Sequence, residues 1–176
     1  MKNKSIYTVI AFATLLLTNC TKDKLDDEVP SVEYVQILDA KFEEKLISKG
    51  IDTDGVVNQK ILRTDAEKVE KLSLYSADIS SLSGIEGFIN LKRLYADANN
   101  LQTIDVSKNV LLDTISLISN DLTEIKGLSK ATNLTWLSLS SNYFTEFTLE
   151  NSNVKNFLMD HNELRDLDIS LAPKLE

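Results

Sequence analysis

The sequence predicts an α/β repeat solenoid closed at its N-terminal end by a helical cap, and three observations predict it. Apolar residues recur from Val69 onward in one pattern, with a period of 20 to 22 residues. An asparagine recurs at one fixed place in that pattern. The stretch before it, Pro30 to Glu67, carries a different, helix-like spacing.

Aligned segments begin at Val69, Leu91, Leu112, Leu134 and Val154, and a sixth starts at Leu175. The third reads Leu112, Ile115, Leu117, Asn120, Leu122, Ile125, and the fourth Leu134, Leu137, Leu139, Asn142, Phe144, Phe147. Five apolar columns in five segments are apolar throughout. In a chain that is 43% apolar, chance agreement would be on the order of 10⁻⁹. The motif L-x-x-L-x-L-x-x-N-x-L-x-x-L at this period is that of leucine-rich repeats. Its L-x-L pair makes a short strand with both leucines on one face. One strand cannot bury that face alone, so right-handed coils stack into a parallel sheet, with an irregular or 3₁₀ opposite wall. The chain turns after each strand, where an inward asparagine amide donates to and accepts from backbone otherwise left unpaired. Asn99, Asn120, Asn142 and Asn162 are therefore expected to form a buried structural ladder. Ala77 takes that place in the first segment. Gly84-Ile85 and Gly127-Leu128 mark one coil subtype, and Val106, Leu149 and Ile169 the other.

Residues 34–68 are expected to cap the first coil. Asp39 is placed to N-cap a helix from Ala40 to Ser48, with Phe42, Leu46 and Ile47 on one face and Gly50 after its end. A second short turn is expected near Thr64-Asp65, with Glu67 three residues after Thr64. Asp52-Thr53-Asp54-Gly55 invites a calcium reading, but Ile61 stands where the loop needs a bidentate glutamate, so a turn is expected and no metal.

Residues 1–19 read as a signal peptide: Lys2 and Lys4, an apolar run from Ile6 to Leu17, then Leu17-Thr18-Asn19-Cys20. The last four resemble a bacterial lipobox, with Asn19 where a smaller residue is usual. The resemblance implies lipidation at Cys20, the only cysteine, and membrane attachment through that lipid alone. Residues 20–33, including Lys22-Asp23-Lys24-Leu25-Asp26-Asp27-Glu28, read as an acidic tether, similar to the export signals of Bacteroidota surface lipoproteins. The whole chain carries 27 acidic and 19 basic residues. That balance gives no electrostatic case for nucleic acid.

Side chains at alternate strand positions face away from the core, onto a concave sheet face. They form columns of Lys71, Arg93, Thr114, Trp136, Asn156; of Ser73, Tyr95, Ser116, Ser138, Leu158; and of Tyr75, Asp97, Ile118, Ser140, Asp160, with His161 flanking. Outward Tyr75, Tyr95, Ile118, Leu158 and Trp136, the only tryptophan, suggest a ligand surface, edged by Arg93, Asp97, Asp160 and His161. Enzymatic readings fail at the residues. His161 is the sole histidine, and it and its sequence neighbour Asp160 are expected on opposite faces or flanking the turn. No phosphate-cradling glycine loop or cofactor motif is present.

The runs Ile37-Leu38-Asp39-Ala40-Lys41-Phe42-Glu43, Ile51-Asp52-Thr53-Asp54-Gly55 and Ile79-Ser80-Ser81-Leu82-Ser83-Gly84-Ile85-Glu86 resemble secreted leucine-rich-repeat proteins of Bacteroidota, whose repeats are similar to those of internalins. The resemblance covers roughly residues 35 to 176. It implies an extracytoplasmic, non-catalytic role, here a surface-exposed outer-membrane lipoprotein recognising a protein or glycan. The alternative is a structural subunit contacting partners through its solenoid end. Because Leu175-Glu176 stand one step into a sixth coil, a C-terminally truncated fragment is expected.

Overall fold

A computed structural model describes residues 32–176. The signal peptide, Cys20 and nearly all of the tether lie outside the described residues.

The cap is organised by Asp39. One of its oxygens accepts from the amides of Lys41 (2.8 Å) and Phe42 (3.1 Å) and so starts helix α1, Ala40–Ser48, as its N-cap. The other accepts from Ser80 (2.8 Å) and Ser81 (2.9 Å) in the first coil, so one carboxylate ends the cap's loop and ties the cap to the solenoid. Strand β1 (Tyr34–Gln36), which the sequence reading missed, precedes α1 and pairs antiparallel with β2 (Lys60–Leu62). Helix α2 follows at Arg63–Ala66. It begins one residue before Thr64 and has no side-chain cap, so the expected capping box does not form. Glu43 is fully buried on α1 yet satisfied, accepting from the amides of Asn58, Gln59 and Lys60. Phe42 meets Phe88 with ring centroids 6.1 Å apart, which joins cap and coils in one core.

Three-residue strands then alternate between two walls: β3 (Lys71–Ser73), β4 (Arg93–Tyr95), β5 (Thr103–Asp105), β6 (Thr114–Ser116), β7 (Glu124–Lys126), β8 (Trp136–Ser138), β9 (Glu146–Thr148), β10 (Asn156–Leu158) and β11 (Asp166–Asp168). Strands β3, β4, β6, β8 and β10 form one parallel sheet, a rung per coil. Leu72, Leu94, Ile115 and Leu137 stand in register and fully buried, continued by half-buried Phe157. Each rung ends where the chain turns through the left-handed region, at Ser76, Ala98, Ser119, Ser141 and His161, with φ between 47° and 57°. None is glycine, so packing and hydrogen bonding hold a conformation that costs an L-residue about 1 kcal/mol.

The asparagines supply that hydrogen bonding, and they reach backward along the chain. Asn120 Nδ2 donates to Leu117 O in its own coil and Ala96 O in the preceding one, while its Oδ1 accepts from Leu101 N. Asn142 does the same for Leu117 O and Leu122 N, and Asn162 for Leu139 O and Phe144 N. Asn99 Oδ1 accepts from both Ala77 N and Ile79 N. Ala77 can therefore occupy the ladder place in the first coil: that coil's turn is served by the next one.

The second wall is more regular than expected. β5 pairs with β7 and β9 with β11, both parallel. The coils bearing glycine carry 3₁₀ turns, Ile85–Gly87 and Leu128–Lys130. Gly127 has φ +84°, and a Cβ there would lie 2.3 Å from Ser107 N, so both torsion and space demand glycine. Two further asparagines, missed in the sequence, serve these turns. Asn109 Nδ2 donates to Ile85 O and Phe88 O, and Asn151 Nδ2 to Leu128 O and Ala131 O. Over the first four coils the wall thus alternates with a period of two, and the fifth, with Ile169 and no glycine, departs from it. In the last coil, Met159 and Leu164 are half-buried, and Leu167 and Ile169 are exposed, so the expected core columns are not closed there.

Replacing Asn120 by Ala strands the buried Leu101 amide and takes one of two asparagine donors from each of the Ala96 and Leu117 carbonyls. The expected cost is about 2–4 kcal/mol. Asn162→Ala, at a half-buried site, should cost less than half of that. Urea unfolding of the two variants measures the difference, and equal losses would contradict the ladder's dependence on burial.

Candidate functional site

Cross-strand register fixes what the outer face of the five-stranded sheet presents. Lys71, Arg93, Thr114, Trp136 and Asn156 form one row, and Ser73, Tyr95, Ser116, Ser138 and Leu158 the next. Both rows match the sequence expectation. Trp136 is 41% exposed and Leu158 43%, although neither faces water for want of core space. A groove of about 570 Å³ runs between them, lined also by Tyr95, Ile118, Thr114, Ser116, Thr135 and Ser138. Four of the nine residues expected to bind ligand, Tyr95, Ile118, Trp136 and Leu158, are thus brought together, and every residue lining the groove is uncharged.

The other five stand apart from the groove. Tyr75 is exposed on the turn after β3 and Arg93 is exposed on β4. Lys71 Nζ lies 5.4 Å from the Tyr95 ring centroid, a cation–π contact that holds this aromatic against the sheet. Asp97 is occupied by its own fold: one oxygen accepts from Ser116 Oγ (2.6 Å) and Ile118 N (2.8 Å). Asp160 accepts from Ser140 Oγ, and the hydrogen bonds from Ser140 and then His161 hold its carboxyl below the usual range.

Contrary to the expectation from sequence adjacency, Asp160 and His161 do touch, with Oδ2 2.6 Å from Nδ1. His161 has left the strand through its left-handed φ of 54°, which swings the ring back toward its neighbour. The contact does not make a nucleophile. Ser140 bonds the carboxylate, not the imidazole, so no base is positioned on the hydroxyl.

Asp52-Thr53-Asp54-Gly55 forms a turn with Gly55 at φ +70°. Among the described residues no group of three or more His, Cys, Asp or Glu side chains is arranged to hold a metal ion. Asp54 accepts from the Val56 amide, and Asp65 from the Thr53 hydroxyl and Lys68. One oxygen of buried Asp52 has no partner among the described residues. Burial, followed by the charge of Asp54, raises its pKa from 3.8 to about 6.

Comparison with solved structures agrees with this geometry. The functional domain of InlJ from Listeria monocytogenes, which includes a cysteine ladder, superposes with a TM-score of 0.70 at 23% identity, covering 82% of this chain and 32% of that one. InlF, an internalin of the same organism, gives 0.63 at 21% identity, covering 74% and 43%. A leucine-rich-repeat protein of Leptospira interrogans gives 0.50 at 26% identity, covering 53% and 26%. The likeness is one of fold, and this chain spans about a third of the InlJ domain and under half of InlF. No protein-family model matches the sequence, and no curated protein matches it.

The raised Asp52 pKa has a defined effect on stability. Its proton is held more tightly in the folded than in the unfolded chain, so the stabilisation is complete below about pH 3.8 and is lost as pH rises through about 6. Asp52→Asn should raise the melting temperature at pH 7.5 and flatten its pH dependence between pH 4 and 6.5. A thermal-unfolding series across that range checks both.

Proposed function

We propose that this protein is a non-catalytic, extracytoplasmic binding module that recognises a protein or glycan through the outer, concave face of its leucine-rich-repeat sheet. The carrying observation is the groove around Trp136, Leu158, Ile118 and Tyr95. The sole tryptophan is placed in solvent beside aliphatic groups on a rigid sheet, where large apolar side chains serve as interface anchors. The internalin-like fold supports a protein-binding role, since sheet-borne side chains on a stacked repeat give an extended surface. The N-terminal run ending at Cys20 supports attachment by lipid to an outer membrane, with the domain surface-exposed. Arg93 and Tyr75 lie at the N-terminal margin of the same face, and Asp160 and His161 at the C-terminal margin. Asp97 acts on ligand mainly by setting the Ser116 hydroxyl.

A second reading, an assembly subunit that meets its partner through the solenoid end, is favoured by exposed Leu167, Ile169 and Leu171 on the last coil. It predicts concentration-dependent association that Ile169→Lys removes, read by light scattering.

For the principal reading, the purified chain is applied to peptide and glycan arrays. Trp136→Ala should lower capture at least about tenfold, and Tyr95→Ala less, with unfolding midpoints close to wild type. Undiminished capture by a folded Trp136→Ala chain would remove the concave face from consideration.

A further inference from the structure

Ser138 is the one polar side chain on the groove's floor that the fold leaves unanswered. It is 1% exposed, and its hydroxyl has no hydrogen-bond partner among the described residues. Its neighbour across the sheet on one side, Ser116, is bonded to Asp97; on the other stands Leu158. Trp136 lies two residues earlier on the same strand and the same face. Leaving a buried hydroxyl unpaired is unfavourable, so an incoming group that returns the bond gains what folding gave up.

We propose that the groove receives a tyrosine side chain of a polypeptide partner, its ring between Trp136 and Leu158 and its phenol hydroxyl bonded to Ser138 Oγ. The inference rests on the concave-face reading above. The walls select an apolar body: Trp136, Leu158 and Ile118 offer an indole face and two aliphatic groups, and no charged residue lines the groove. A sugar ring carries several hydroxyls that need planar amide or carboxylate partners, and the groove has none. Aliphatic side chains and phenylalanine fill such a space but leave Ser138 unpaired, whereas serine and asparagine reach it with no body to bury. Tyrosine combines an apolar ring with a polar tip. At about 570 Å³ the groove has room for the ring. Leu158, 43% exposed and outside the core, is the side chain that gives way to admit it.

Because Trp136 is the only tryptophan, its indole N–H resonance reports on the groove alone. The full chain is titrated with N-acetyltyrosinamide, N-acetylphenylalaninamide and methyl glucoside. The tyrosine compound should shift that resonance with an affinity about five- to tenfold above the phenylalanine compound. Ser138→Ala should abolish the preference and leave phenylalanine binding as it was. Equal affinities in the wild type, a preference that survives Ser138→Ala, or preferential binding of the glucoside each overturn the proposal. If the preference is missing while Trp136→Ala still abolishes array capture, the tyrosine assignment alone falls. If the resonance is unmoved and capture is intact in Trp136→Ala, the binding face falls with it.

Discussion

The structure depends on one arrangement: a side-chain amide that stands in for backbone. Each coil must leave its strand abruptly, and the turn exposes amides and carbonyls to an apolar interior where no water answers them. A primary amide is the smallest neutral group that donates twice and accepts as well. Placed inward, Asn99, Asn120 and Asn142 join their own turn to that of the preceding coil. The leucine columns supply the driving force for stacking, but the amides set the register, since a shift of one residue would pair leucine against open backbone. The Asp39 carboxylate plays the corresponding part at the cap, joining a helix start to the first coil through its two oxygens.

The same pairing limits how the rungs can move, and the proposed binding face is built on them. Strands β4, β6 and β8 are paired on both sides, and the left-handed turns at Ser76, Ala98, Ser119, Ser141 and His161 set where each rung ends. The backbone under the Trp136 groove is therefore set by the fold itself, and on the reading proposed above the Leu158 side chain is what moves to admit a ligand. The polar residues around it are used first by the protein: Asp97 and Asp160 hold serines of adjoining coils in place and so shape the surface from behind.

Much of this was legible in the sequence. The repeat columns gave the rungs and their register, Asp39 gave the start of α1, and alternation along a strand gave the rows that hold Trp136 and Tyr95. Periodicity is read well wherever one face is buried, because burial leaves a column of like residues. It failed where the information is not periodic at the scale of one coil. Asn109 and Asn151 recur every second coil, so a single-coil alignment hides them. Strand β1 is a short, isolated segment whose only buried side chain is Val35, and its partner lies beyond the intervening helix. The contact of His161 with Asp160 follows from a backbone torsion that alternation assumes away. Ser138 looked like one serine among many, and only packing reveals a hydroxyl without a partner.

The two-coil rhythm of the second wall also constrains how such a chain can change its length. The pairs β5–β7 and β9–β11 each bridge an even coil to the following odd one, and Asn109 and Asn151 each close a turn of the coil before. Loss of the second coil would bring the two glycine-bearing coils, the first and third, side by side and leave β7 without its partner β5. Loss of the second and third coils together would bring Asn151 to the first coil, whose turn Asn109 now serves. Over the first four coils the repeating unit of this wall is thus the pair, 43 residues from Gly84 to Gly127, while the visible motif counts one coil at a time.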